Sequence, residues 1–266
     1  MGFLFQEKTW PELKEYIDKN ALIILPVGEM EEHSLYLPVD CDARIAEYMA
    51  AQLAEEIQDE IPVLVLPTVW SGYTPKYVRT FPGGMGLHPQ VFTDMIHGIC
   101  ASIADMGFTK LFMLDCHGQH GPMLNMVTKL IADEYGYYYT TATPIAFCAK
   151  EFNAVRESPR GGCSHSGEYE TSLLLHISPE LVKTELFYPD DLLQHHSDFI
   201  AGDALLGGQK AVWSTFGIQA SKHGACGDPT TATAEKGRII VEAYRKHAAE
   251  YMREYYYHKR IMPTED

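Results

Sequence analysis

Three short segments of this chain concentrate side chains able to do chemistry. The first is Gly28-Glu29-Met30-Glu31-Glu32-His33, which follows an apolar run and is itself followed, nine residues on, by Asp42. If the chain stays extended there, residues i and i+2 point to the same side, so Glu31 and His33 converge. Alone this segment is a weak signal, because an E-x-H is more often plain surface. Asp42 also has an ordinary use at a helix start, which Asp40 could share. The second segment is Asp115-Cys116-His117-Gly118-Gln119-His120, at the end of another apolar run. Burying so many polar groups costs several kcal/mol unless they are paired or coordinated. His117 is the preferred ligand there, and His120 is either a substrate contact or a cap at a helix end. The third runs from Cys163 to Ser172 and carries His165, Glu168 and Glu170 ahead of Leu173-Leu174-Leu175. A capping arrangement accounts for Ser166 and Glu170 but not for His165 as well.

Carboxylates and imidazoles mixed in this way suit Zn, Mn or Fe, and no C-x-x-C pair is present to build a structural zinc site. Four or five ligands sharing a carboxylate suggest two divalent ions per chain, about 3.5–4 Å apart. The six cysteines read mostly as reduced core residues, since a disulfide scaffold does not suit 266 residues. A net charge of −15 argues against nucleic acid and against anionic membrane surfaces. It fits metal ions or a small neutral or cationic ligand, although most of the excess acid reads as a solvated surface. No apolar run reaches bilayer length and Met1-Gly2-Phe3 opens no signal-peptide pattern, so the expectation is a soluble, cytoplasmic protein.

The elements that must position these groups follow from periodicity. Apolar runs at 21–26, 62–67 and 110–115 read as buried strands. Ile45, Met49, Leu53 and Ile57 mark a helix over 42–57, and Val91, Met95, Ile99 and Ile103 mark one that ends near Gly107. Further helices are expected over 123–134 and 232–257, the last behind the turn Gly227-Asp228-Pro229. Strand–helix alternation implies an α/β fold, three-layer α/β/α with a largely parallel central sheet. Without repeats or linkers, residues 1–266 read as a single domain, two being the second guess. Ligands in such sheets gather at the carboxyl ends of the strands, where the first two segments lie.

Together and in order, these segments resemble the creatininase (creatinine amidohydrolase) family. Gly28 to Pro38 with Asp42 is similar to its signature Gly-x-x-Glu-x-His-Gly-x-His-Leu-Pro with a following Asp. Asp115 to His120 is similar to Asn-Gly-His-Gly-Gly-Asn, and His165 to Ser172 to His-Ala-Gly-x-x-Glu-Thr-Ser. The resemblance implies a creatininase-like domain, a two-metal hydrolase centre and a homohexamer acting on a small molecule. By position Glu31 and His33 would each bind one metal, Asp42 would bridge both, and His117 would join the metal of Glu31. Where the family has a further Glu ligand, this chain has Gln119; Glu170, or second Glu168, is the candidate replacement. His165 stands where the family has its proton-transferring histidine.

The departures bear on substrate. Ser34 and Tyr36 replace Gly and His, both flanks of His117-Gly118 differ, and the tryptophans that enclose creatinine have no counterpart near Cys163-Ser164. The expectation is a small cyclic amide or related carbonyl compound other than creatinine. The alternatives are a cyclic polyol ketone of the inosose type, opened at a C–C bond, and a metal-binding member without catalysis. Retention of His165 speaks against the last. Ser71, Tyr73, Gln119, His120 and Ser164 are the candidate substrate contacts.

Overall fold

In the computed structural model, residues 2–190, 199, 203, 205, 211 and 221–258 are described. Four parallel strands make one sheet in the order β2-β1-β3-β4: β1 (Leu22–Val27), β2 (Val63–Val65), β3 (Lys110–Asp115) and β4 (Thr140–Ala142). β1 pairs with β3 along its whole length, from Leu22 opposite Lys110 to Val27 opposite Asp115. Pro26 does not end the strand as its lack of a donor would suggest, because its carbonyl still accepts from Val69 N at 3.0 Å. Residues alternate between the faces, and both faces are apolar. Leu22, Ile24, Phe112 and Leu114 pack under α2 (Cys41–Ile57), α5 (Ile145–Val155), α6 (Glu168–Ile177) and α7 (Ala234–Tyr257). Ile23, Leu25, Val27, Leu111 and Met113 pack against α3 (Pro89–Asp105) and α4 (Gly121–Tyr135), with α1 (Trp10–Asp18) at the edge. These are the three layers and the parallel sheet that the alternation implies.

Two details differ from the expectation. The stripe that α3 buries is Phe92, Ile96, Cys100 and Ile103, while Val91 is 53% exposed. Apolar residues fill two neighbouring rows of this helix, and the sheet takes the row one residue on. α1, α5 and β4 are additional elements. α1 is announced only by its capping box, Thr9 with Glu12, and β4 is a half-buried Thr-Thr-Ala without an apolar run. All six cysteines are free. Among the described residues no helix is long and apolar enough to cross a membrane.

Candidate metal centre

The centre forms where β1 and β3 end and α2 and α6 begin. After β1 the chain turns at Gly28, where a Cβ would stand 2.4 Å from Ala43 Cα. Only glycine lets the first turn of α2 come so close, and that approach sets Asp42 against Glu31. Asp42 is 1% exposed inside this first turn, where the helix dipole favours negative charge. Asp40, at the N-cap, pairs with Arg44 instead of capping, so the two aspartates have separate uses.

Asp42 stands between two histidines. Its Oδ1 lies 3.1 Å from His33 Nε2 and its Oδ2 3.0 Å from His117 Nδ1. Glu31 Oε1 is 3.3 Å from His117 Nδ1 and 3.3 Å from His165 Nδ1. Glu170 Oε2 is 3.8 Å from His33 Nε2 and accepts a bond from Ser166 N at 2.6 Å. Three sets of donor atoms therefore lie within 4.8 Å of one another: Glu31–Asp42–His117, His33–Cys41–Asp42 and Glu31–His33–His165. The first two share Asp42.

Several of these atoms are buried without a hydrogen-bond partner among the described residues, namely Glu31 Oε2, His33 Nε2 and His117 Nε2. Burial works against charge on every one of these groups, and for Asp42, Glu31, His33 and His117 the attraction of opposite charges overrides it. His33 and His117 hold Asp42 well below the usual carboxylate range, and His117 and His165 lower Glu31. Against burial, Cys41 and Asp42 raise His33 well above the usual imidazole value, while Glu31 and Asp42 raise His117. Burial itself pushes Glu170 up and the Cys41 thiol up to about 12. The carboxylates gathered beside these rings favour positive charge. The mixture of carboxylate oxygens and ring nitrogens, with unsatisfied buried acceptors, fits divalent cations.

His120 lies in a buried network that joins β3 to the Gly72–Tyr73 loop. It is fully buried, stacked on Phe92 at 4.2 Å between ring centres. Its Nδ1–H donates to Asp115 Oδ1 at 3.2 Å, and its Nε2 accepts from Tyr73 N at 3.1 Å. It occupies the N-cap of α4 without a side-chain capping bond. With both nitrogens engaged and Glu29 Oε2 3.4 Å away, it does not face an open pocket. Asp115 Oδ1 also accepts from His117 N, and Glu29 Oε2 accepts from Gly72 N at 2.5 Å. This network ties the Gly72–Tyr73 loop to the end of β3. Of the other proposed substrate contacts, Ser71 Oγ donates to Met85 O, and the Tyr73 ring packs against the core of the second face. Gln119 is half-buried, with no side-chain hydrogen bond to a described residue. Ser164 is half-buried and its carbonyl accepts from Gly167 N.

The third segment is pinned from several sides. Tyr36 OH donates to Ser166 O at 2.6 Å, Cys226 N to His165 O at 2.9 Å and Asp228 N to Gly162 O at 3.0 Å. His165 Nε2–H donates to Glu32 O at 2.8 Å and lies 3.4 Å from Glu32 Oε1, leaving Nδ1 toward the centre. Although burial opposes it, Glu31 raises His165 to about 9, with help from Glu32. Glu168 points away from the centre. It pairs with Lys236 Nζ at 2.5 Å and accepts from Ser158 N at 2.8 Å, so Glu170 is the acid of this segment that reaches His33.

Sequence reasoning missed Cys41, Glu29, Glu32 and Lys236. The strict alternation that joined Glu31 to His33 sends Glu32 to the far side, whereas the backbone leaves the extended path here, with Ser34 left-handed at φ 58°. Cys41 stands beside Asp42 but reads as core.

The chain is similar to known proteins along nearly its whole length. A family model, Creatininase (creatinine amidohydrolase), matches residues 6–252. Among curated proteins, the 3-dehydro-scyllo-inosose hydrolase of Thermotoga maritima is 26% identical over 262 residues, 91% of this chain and 80% of that protein. The mycofactocin precursor peptide peptidase of Mycobacterium tuberculosis is 28% identical over 227 residues, covering 83% of this chain and 80% of its own. A solved creatinine amidohydrolase superposes with a TM-score of 0.80 at 21% identity, over 96% of this chain and 98% of its own, which shows the fold. With its signature segments gathered at one sheet end and a family match over nearly its whole length, this chain belongs to the creatininase family of hydrolases.

Proposed function

We propose that this protein is a two-metal hydrolase acting on a small carbonyl compound. The observation that carries this reading is Asp42, whose two oxygens each face a different histidine, 3.1 Å and 3.0 Å away. Glu31, Asp42 and His117 would hold one divalent ion, and His33, Asp42 and Glu170 the other. Zn–Zn and Mn forms of solved creatininases support the choice of ions. Bound there, two ions supply Lewis acidity and a water acidic enough to react near neutral pH. His165 is the proton carrier. With Nε2–H committed to the Glu32 carbonyl, its exchangeable proton sits on Nδ1, the nitrogen that faces Glu31. Transfer of that proton to a leaving nitrogen or carbon is worth about 10²–10⁴-fold in rate.

A small cyclic amide other than creatinine is the first substrate reading, because the flanks of His117-Gly118 are remodelled into the buried Asp115–His120 pair. An inosose-type ketone is the second. Its support is the 26% identity to the inosose hydrolase, against 22% to the creatinine amidohydrolase of Pseudomonas putida. Family resemblance also supports a homohexamer of single 1–266 domains. Metal analysis after dialysis, followed by assay on cyclic amides, formamides and inososes, tests the whole reading. A content near two ions per chain is expected. Content near zero with no uptake of added Zn or Mn overturns it.

A further inference from the structure

The two halves of the centre differ in chemistry. Among the described residues, the half built on Glu31, Asp42 and His117 gathers oxygen and nitrogen donors. The half built on His33 contains a sulfur as well: Cys41 Sγ, a His33 ring nitrogen and an Asp42 oxygen all lie within 4.8 Å of one another. Cys41 is the first residue of α2 and fully buried, beside the proposed ligand Asp42 in sequence. A second observation points the same way. His33, 1% exposed, leaves Nε2 without a hydrogen bond although Asp42 Oδ1 is 3.1 Å and Glu170 Oε2 3.8 Å from it. A nitrogen with donor atoms around it and no hydrogen bond to any is arranged for an ion in their midst.

We propose that Cys41 is a thiolate ligand of the ion on the His33 side, completing a nitrogen, sulfur and two-oxygen set with His33, Asp42 and Glu170. The proposal rests on the two-metal reading above. It would make the centre asymmetric: a donor set including a soft sulfur suits Zn, and the oxygen-rich half around Glu31 suits a harder ion such as Mn. On binding, the thiol proton leaves to solvent as the sulfur–metal bond forms, and no redox change is involved. Cys116, also near the end of β3, belongs to none of the three donor sets and serves as the internal control.

The test is titration of the chelator-stripped full chain with Co(II), followed by ultraviolet–visible spectroscopy and calorimetry. Wild-type protein should develop a thiolate-to-cobalt charge-transfer band. The band should disappear in Cys41→Ser and Cys41→Ala and persist in Cys116→Ser. Cd(II), the softer probe, should lose at least the roughly 10–100-fold in affinity that removal of an outer-shell partner costs. Calorimetric binding without the band in wild type, or a band that survives loss of Cys41, overturns the thiolate assignment and leaves the two-metal reading standing. Absence of any Co(II), Zn(II) or Mn(II) binding overturns both. If the Cys41 variants fail to fold, the wild-type and Cys116→Ser spectra together decide: a band absent from either overturns the assignment.

Discussion

Lys236→Met tests the fold and the ligand assignment together. Lys236 is 6% exposed and its Nζ binds Glu168 Oε1 at 2.5 Å, Glu157 Oε1 at 2.7 Å and Thr231 O at 2.7 Å. Met keeps the length of the stem and removes the charge, leaving Glu168, itself fully buried, without its counter-ion. Breaking a buried pair from one side costs about 3–5 kcal/mol. The carboxylate still accepts from Glu157 N and Ser158 N, which places the expected loss near the lower end, about 3 kcal/mol. With an unfolding entropy of about 2.1 cal/mol/K per residue, that lowers Tm by about 5 °C for a chain of this size. Adding Glu168→Gln removes the stranded charge and should recover most of the loss, as a double-mutant cycle by thermal denaturation would show. Burial raises Glu168, but Lys236 and the backbone amides outweigh it and leave its pKa lowered, while Lys236 is raised against burial by Glu157 and Glu168. The pair therefore stabilises across neutral pH. Its contribution is lost only as pH falls through the lowered value of Glu168 or rises through the raised value of Lys236. Metal content should be unchanged in all three variants. A Tm within about 1 °C of wild type would refute the energetic argument, and metal loss in Glu168→Gln would make Glu168 the ligand in place of Glu170.

Asp42→Ala should empty both metal positions, whereas Glu31→Ala and His33→Ala should each weaken mainly one; full metal content in Asp42→Ala would reduce that residue to a helix-start role. His165→Ala should keep metal and Tm while turnover on the identified substrate falls by about 10²–10⁴-fold; loss of metal would instead make His165 a ligand, a role its 3.3 Å distance to Glu31 also permits. Gly224→Ala should reduce turnover through Glu32. The residue sits at φ 93° and a Cβ there would lie 1.9 Å from Glu32 Oε2, so Glu32 and the imidazole it holds must move. The backbone strain alone should cost about 1–3 kcal/mol by denaturant unfolding, and an unchanged rate would detach Glu32 from His165.

What the chain discloses unaided follows from how local each determinant is. α2 is legible because Ile45, Met49, Leu53 and Ile57 all face one core, and each is buried. The candidate ligand segments are legible because acids and imidazoles at strand ends have no core explanation, and Glu31, His33, Asp42, His117, His165 and Glu170 do converge. The surroundings of His120 are not legible, because its partners Glu29 and Tyr73 come from other segments, which no spacing rule connects. Glu168 and Glu170 lie two apart on one helix, and only the approach of Lys236 from α7 separates their uses. Cys41 shows a different limit: a buried thiol has the same composition signal whether it packs or ligates.

The centre has a thermodynamic consequence because its donors come from three separate stretches of chain. Unfolding disperses Glu31, Asp42, His117 and Glu170, so ions that bind the folded state have little to hold in the unfolded one. Ion binding then becomes folding free energy, about 2.7 kcal/mol when free metal stands at 100 times Kd. The melting temperature of this protein should therefore move with metal concentration. If the proposed ions bind, a fall in metal supply would raise the unfolded fraction and with it exposure to proteolysis.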